Sequence, residues 1–189
     1  MATAIPKDMT ADEFLIWNLS QDERYELIDG VPVPLRGMAG ASNYYDDIVT
    51  NLIIALGNKL RGSGCKPRTA DTALRTAIKR VRRPDVTVDC AESRPDSYES
   101  ARPTAVFEVL SPTTRKLDGG VKLSEYLRHP TLQTIVHIDP DRLEIAVFQR
   151  DGTGQWGEFI LASPSDRVLI PGTPVSLTLS EIYEGVPVP

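Results

Sequence analysis

The stretch AVFEVLSPTTRKLDGGVKLSEY, residues 105–126, places a glutamate inside an apolar run and follows it with a turn and a helical pattern. Val106, Phe107, Val109 and Leu110 surround Glu108, so Ala105 to Leu110 reads as a buried strand with one acid in it. An ionised carboxylate is costly to bury without a partner. An edge position or a salt bridge would satisfy it, and so would a metal ion. Ser111-Pro112 closes the strand, and a helix is expected from about Leu117 to Arg128. Another strand, Thr134 to Ile138, comes next. Strand, helix, strand is the pattern of a crossover between neighbours in one sheet. It indicates an α/β fold with a mixed β-sheet.

Outward from this stretch, Thr10-Ala-Asp-Glu13 has the form of a capping box and opens a helix through about Leu19. Tyr25 to Ile28, Asp29-Gly30 and Val31 to Leu35 read as a hairpin, its second arm limited to an edge by Pro32 and Pro34. Ser42 caps a long helix whose apolar face is Ile48, Leu52, Ala55, Leu56 and Leu60, ended by Gly62-Ser63-Gly64. Further strands are expected at Ala70 to Thr76, Asp85 to Cys90 and Leu143 to Gln149, with weaker ones at Gly157 to Ala162 and Arg167 to Ile170. Asp151-Gly152 marks another hairpin turn, and Glu92 to Pro103 is a polar loop. The chain reads as a single domain over residues 1–189, its core about 10–183, with additional β-hairpins late in the sequence.

Composition narrows the function classes. The 41% hydrophobic and 25% charged residues are those of an ordinary globular protein, and no apolar run approaches a membrane span. The N-terminus MATAIPKDMTADEF has no apolar signal core, so a cytoplasmic location is expected. Two cysteines, Cys65 and Cys90, need no disulfide framework and fit a reducing compartment. With only His129 and His137, neither a zinc site nor a histidine triad is supported. The net charge of −5 hides an asymmetry: Asn51 to Arg83 carries nine basic residues against Asp71 alone, locally +8, while the rest holds 12 basic and 25 acidic residues, −13. Within that segment, Lys79, Arg80, Arg82 and Arg83 are candidates for phosphate contacts. Solvated side chains paired with distant acids are the plainer alternative.

Four residues carry the chemistry. Asp85 follows Arg82-Arg83-Pro84 and opens a strand, and Glu108 lies 23 residues later in the next one. If the two strands are neighbours, both acids converge. Two carboxylates with a strand carbonyl, Val109 being one candidate, make a sparse site of the type that Mg²⁺ takes. Lys122 lies on the following helix, where Asp118, Lys122 and Tyr126 share i, i+4, i+8 spacing. A lysine there would position water or offset phosphate charge. Glu26 alternates with Tyr25 and Leu27, so its side chain takes the opposite strand face from theirs.

The ordered set ELIDG, MAGAS, RRPDVTV, FEVLSPTT, D-x3-K-x3-Y and HIDP resembles the Uma-two-type restriction endonucleases, a branch of the PD-(D/E)XK nuclease superfamily. The resemblance covers roughly residues 10 to 183. It implies a restriction-endonuclease-like core, a mixed β-sheet flanked by helices, and Mg²⁺- (or Mn²⁺-) dependent hydrolysis of DNA phosphodiesters. It assigns Asp85 and Glu108 to the metal, with Glu26 helping to hold it. Leu110 stands where the usual lysine would be, and Lys122 matches the position on the next helix to which that role moves in this branch. Tyr45 stands where many relatives carry a histidine. A homodimer is expected because cutting both strands usually needs two active sites. The competing expectations are a nucleic-acid-binding module that keeps the fold without catalysis, and an assembly protein whose acids are structural. A carboxylate-pair glycosidase has less support, since Trp17 and Trp156 offer no sugar platform.

Overall fold

The computed structural model describes residues 6–35, 42–110 and 118–188. The Thr10 hydroxyl accepts from the Glu13 amide, and the Glu13 carboxylate accepts from the Thr10 amide; this reciprocal cap opens α1 (Ala11–Asn18). Asp29 and Gly30 take φ of 49° and 83° and turn β1 (Tyr25–Ile28) into β2 (Val31–Pro34). A Cβ on Gly30 would stand 3.0 Å from the Asp8 Cα, so glycine is required there for space as well as for φ. Ser42 caps α2 (Asn43–Lys59) by accepting from the Tyr45 amide.

After α2 come β3 (Lys66–Thr69), β4 (Leu74–Ala77), β5 (Arg80–Arg82), β6 (Val86–Asp89) and β7 (Pro103–Val109). A π-helical turn at Asp118–Lys122 leads into α3 (Leu123–Arg128). Then follow β8 (Thr134–Ile138), β9 (Ile145–Arg150), β10 (Trp156–Leu161), β11 (Arg167–Leu169), β12 (Ser176–Thr178) and α4 (Leu179–Ile182). Among the described residues these make a six-stranded sheet of order β10-β9-β8-β7-β6-β3, a four-stranded sheet of order β2-β1-β5-β4, and the β11–β12 hairpin. Within the six-stranded sheet β7 and β8 pair in parallel, and the other neighbours are antiparallel. The π turn and α3 lie in the chain between that parallel pair. The mixed sheet flanked by helices is the architecture expected from the sequence.

Strand alternation gives the large sheet two different faces. Ala105, Phe107 and Val109 of β7, with Val86, Val88, Val136 and Ile138, pack on Ile48, Leu52 and Leu56 of α2. Each of the valine, leucine, isoleucine and phenylalanine side chains contributes about 1.5–3 kcal/mol by leaving water. The opposite face carries Val106 and Ile135, which pack with Leu74, Leu132 and Tyr126. Glu108 shares this second face, two residues on from Val106. In the small sheet Leu27 and Val81 turn toward Phe14 of α1.

Three expectations are corrected. Ala70 to Thr76 is not one strand: the Thr72 amide donates to the Thr69 carbonyl at 3.0 Å, and the turn sends β3 and β4 to different sheets. The helix expected from Leu117 begins, within the described residues, as a π turn and becomes α-helical only at Leu123. Leu117, Ser111 and most of MAGAS lie outside the described residues. Cys65 and Cys90 are joined by a disulfide. They are brought together because Lys66 pairs with Asp89 at the end of the β3–β6 ladder, and the next pair outward is the two cysteines.

Candidate active site

Asp85 stands just ahead of β6, and Glu108 lies near the end of β7. The register Val86↔Phe107 places the two acids side by side at the ends of adjacent strands. The Val109 amide donates to Asp85 Oδ2 at 2.7 Å, tying the first acid to the strand of the second. The Tyr45 hydroxyl, from the first turns of α2, donates to Asp85 Oδ1. The Tyr126 hydroxyl, from α3, donates to Glu108 Oε1 at 2.7 Å. Each acid therefore carries a tyrosine from a different helix. Burial pushes both phenols up, and the neighbouring carboxylates add to the shift: Asp85 and Glu108 at Tyr45, Glu108 and Glu26 at Tyr126. Both tyrosines therefore stay protonated and act as donors at neutral pH.

Lys122, Glu125 and Tyr126 lie at helical spacing and all turn toward the sheets. Lys122 Nζ is 3.6 Å from Glu108 Oε1 and 3.4 Å from Glu26 Oε1. Glu26 reaches it from β1. The register Leu27↔Val81 sets Glu26 opposite Arg82, on the face of the small sheet away from Phe14. Glu26 is 5% exposed, and the Arg83 amide donates to its Oε1 at 3.1 Å while Arg82 Nη1 donates to Oε2 at 3.0 Å. Both Glu26 oxygens thus already face donors or cations. Asp118 begins the π turn, and its side chain lies outside the described residues, so only Lys122 and Tyr126 of the proposed stripe are placed at Glu108.

The four basic residues expected to face phosphates separate into two pairs. Arg82 and Arg83 are buried, at 1% and 7% exposure. Arg83 donates to the backbone carbonyls of Tyr25, Ala70 and Asp71, and burial lowers its pKa. Lys79 and Arg80 remain at the surface, paired with Asp8 and Asp29.

The sequence alone assigns no site role to Glu125 or His137. Glu125 is three residues after Lys122, and that spacing was its available signal. His137 pairs with Glu108 in the parallel register and is 5% exposed, its ring edge-on to Phe148. It opens the motif HIDP, but only the β7–β8 pairing brings it beside Glu108.

Among the described residues no group of three or more His, Cys, Asp or Glu side chains is arranged to hold a metal ion. Asp85 and Glu108 remain as an oxygen-donor pair, and Mg²⁺ is commonly held through one or two carboxylates with water completing its shell. The donor chemistry fits a hard cation and is poor for zinc.

The family model described as "Uma2: Putative restriction endonuclease" matches residues 11–180. The chain is 28% identical over 180 residues to the uncharacterised protein slr1290 of Synechocystis sp., covering 94% of this chain and 93% of that one. It is 29% identical over 160 residues to a second uncharacterised protein of the same organism, sll1609, covering 82% and 89%.

Proposed function

Because the chain belongs to the Uma2 family of putative restriction endonucleases, we propose that it is a metal-dependent endonuclease that hydrolyses DNA phosphodiester bonds. The observation that carries this reading is the meeting of Asp85, Glu108 and Lys122: two acids at adjacent strand ends and a cation 3.6 Å from Glu108. Asp85 and Glu108 hold Mg²⁺ or Mn²⁺, which when bound activates water and offsets charge on the phosphate. Lys122 orients water or the phosphate from the α3 side. Tyr45 and Tyr126 fix the carboxylate rotamers by donating to one oxygen of each acid. Glu26 acts with Lys122, whose ammonium lies 3.4 Å from its Oε1. The working form is a homodimer, in which two such sites cut both strands.

Asp85→Asn, Glu108→Gln and Lys122→Ala should each abolish Mg²⁺- or Mn²⁺-dependent nicking of plasmid DNA, with a loss of about 10²-fold or more. Unchanged cleavage in any one removes that residue from its role. Tyr45 favours one alternative, a DNA-binding module without catalysis, because its hydroxyl occupies Asp85 Oδ1. Under that alternative the wild-type protein binds DNA without metal and cuts nothing, and Glu108→Gln leaves binding intact.

A further inference from the structure

Arg82 is the largest fully buried side chain of the described structure, and the reading above gives it no task. Placing a guanidinium there is costly unless its donors are met with good geometry. Arg82 meets them with two acids from different elements. Its Nη1 donates to Glu26 Oε2 at 3.0 Å, its Nε to Glu125 Oε2 at 2.8 Å and its Nη2 to Glu125 Oε1 at 2.6 Å. The Thr76 hydroxyl of β4 adds a bond to Glu125 Oε2 at 2.7 Å. β5 and β1 are thereby fastened to α3 through one guanidinium, and β4 joins them through Thr76.

Both acids lead to Lys122. Glu26 lies 3.4 Å from its ammonium. Glu125 is three residues further along the same helical segment, so holding Glu125 fixes the turn that carries Lys122. The backbone just before Lys122 is a π-helical turn containing Gly119 and Gly120, and glycine has the greatest freedom to leave a helix. That turn does little by itself to hold the lysine in place.

We propose that Arg82 is a positioning residue, which sets the Lys122 ammonium at the Glu108 carboxylate by clamping Glu26 on one side and Glu125 on the other. The catalytic consequence rests on the nuclease reading; the placement of Lys122 does not. Lysine at position 82 keeps a charge but cannot present the planar fork that bonds both acids together.

The test compares Arg82→Lys and Glu125→Gln with wild type, and uses Arg75→Lys as a control. Arg75 is a partly buried guanidinium bonded to Asp12 and Glu99, outside this network. Two readouts are taken on folded protein: acetylation of Lys122 by limiting acetic anhydride, followed by peptide mass spectrometry, and the kcat and KM of DNA cleavage. Lys122 should be acetylated several-fold faster in both variants, because its side chain is 11% exposed in the clamped state. kcat should fall about 10- to 100-fold with KM unchanged. Arg75→Lys should alter neither. Wild-type acetylation rates at Lys122 in both variants would overturn the proposal. If wild type cuts no DNA, the nuclease reading fails and acetylation alone decides the placement. If Arg82→Lys does not fold, Glu125→Gln carries the decision.

Discussion

Burial alone would push the Glu125 carboxyl above its ordinary value of 4.5, yet the hydrogen bonds of Arg82 and Thr76 and the charges of Arg82 and Arg80 hold it lower. A carboxyl with a depressed folded pKa stabilises the protein above its unfolded pKa, and that contribution is lost as pH falls through the folded value. Stability from this group is therefore complete above about pH 4.5 and declines below it. Urea unfolding followed from neutral to acid pH should show wild type losing stability more steeply below that point than Glu125→Gln. Parallel curves would remove Glu125 from this role. The same neighbourhood shows why some residues were legible in the sequence and others were not. Glu108 is conspicuous as an acid in an apolar strand, and Asp85 as the acid after a proline. Arg82 looks the same in sequence as Arg80 and Arg83. Only the pairing of β1 with β5 turns it inward opposite Glu26.

Among the elements, the edge strand β3 is held to β6 by its ladder and by the Cys65–Cys90 disulfide at the ladder's end. The bond closes a loop with a sequence separation of 25, and chain entropy assigns such a crosslink about 2–4 kcal/mol. The double substitution Cys65→Ser and Cys90→Ser should lower unfolding free energy by about that amount. Dithiothreitol should do the same to wild type and nothing further to the double variant. Equal midpoints for oxidised and reduced wild type would show that the crosslink does not stabilise the fold. The long helix α2 and the β1–β2 hairpin follow from local signals: the Ser42 cap, apolar spacing and Asp-Gly. The division of Ala70 to Thr76 does not, because the turn at Thr69 to Thr72 carries no glycine or proline to announce it. The three-residue β5 likewise has too few positions to show alternation.

For the whole molecule, the segment from Asn51 to Arg83 reads as +8 in sequence, but the fold withdraws much of that charge from the surface. Arg82 and Arg83 are buried, Arg75 is shared between Asp12 and Glu99, and Lys59 pairs with Glu181. DNA binding should therefore depend on salt less steeply than nine cations would give. Lys79→Ala and Arg80→Ala should each reduce the slope of log K against log salt by about one, while Arg82→Met should leave the slope unchanged. Fluorescence anisotropy over a salt series measures this. A slope that falls with Arg82→Met would mean that this arginine reaches phosphate after all.

The sequence by itself determined the mixed α/β class, the long helix, the main strands and the separate acids and lysine, because periodicity, caps and turn residues are local. The tertiary structure alone decided which of those groups meet. Strand register set Asp85 beside Glu108 and His137 opposite it. The packing of α3 brought Lys122 to two acids at once, and the pairing of β1 with β5 beneath α3 turned Arg82 from a surface cation into a buried clamp. Contacts between residues tens of positions apart depend on register and layer packing, and a short window of sequence specifies neither.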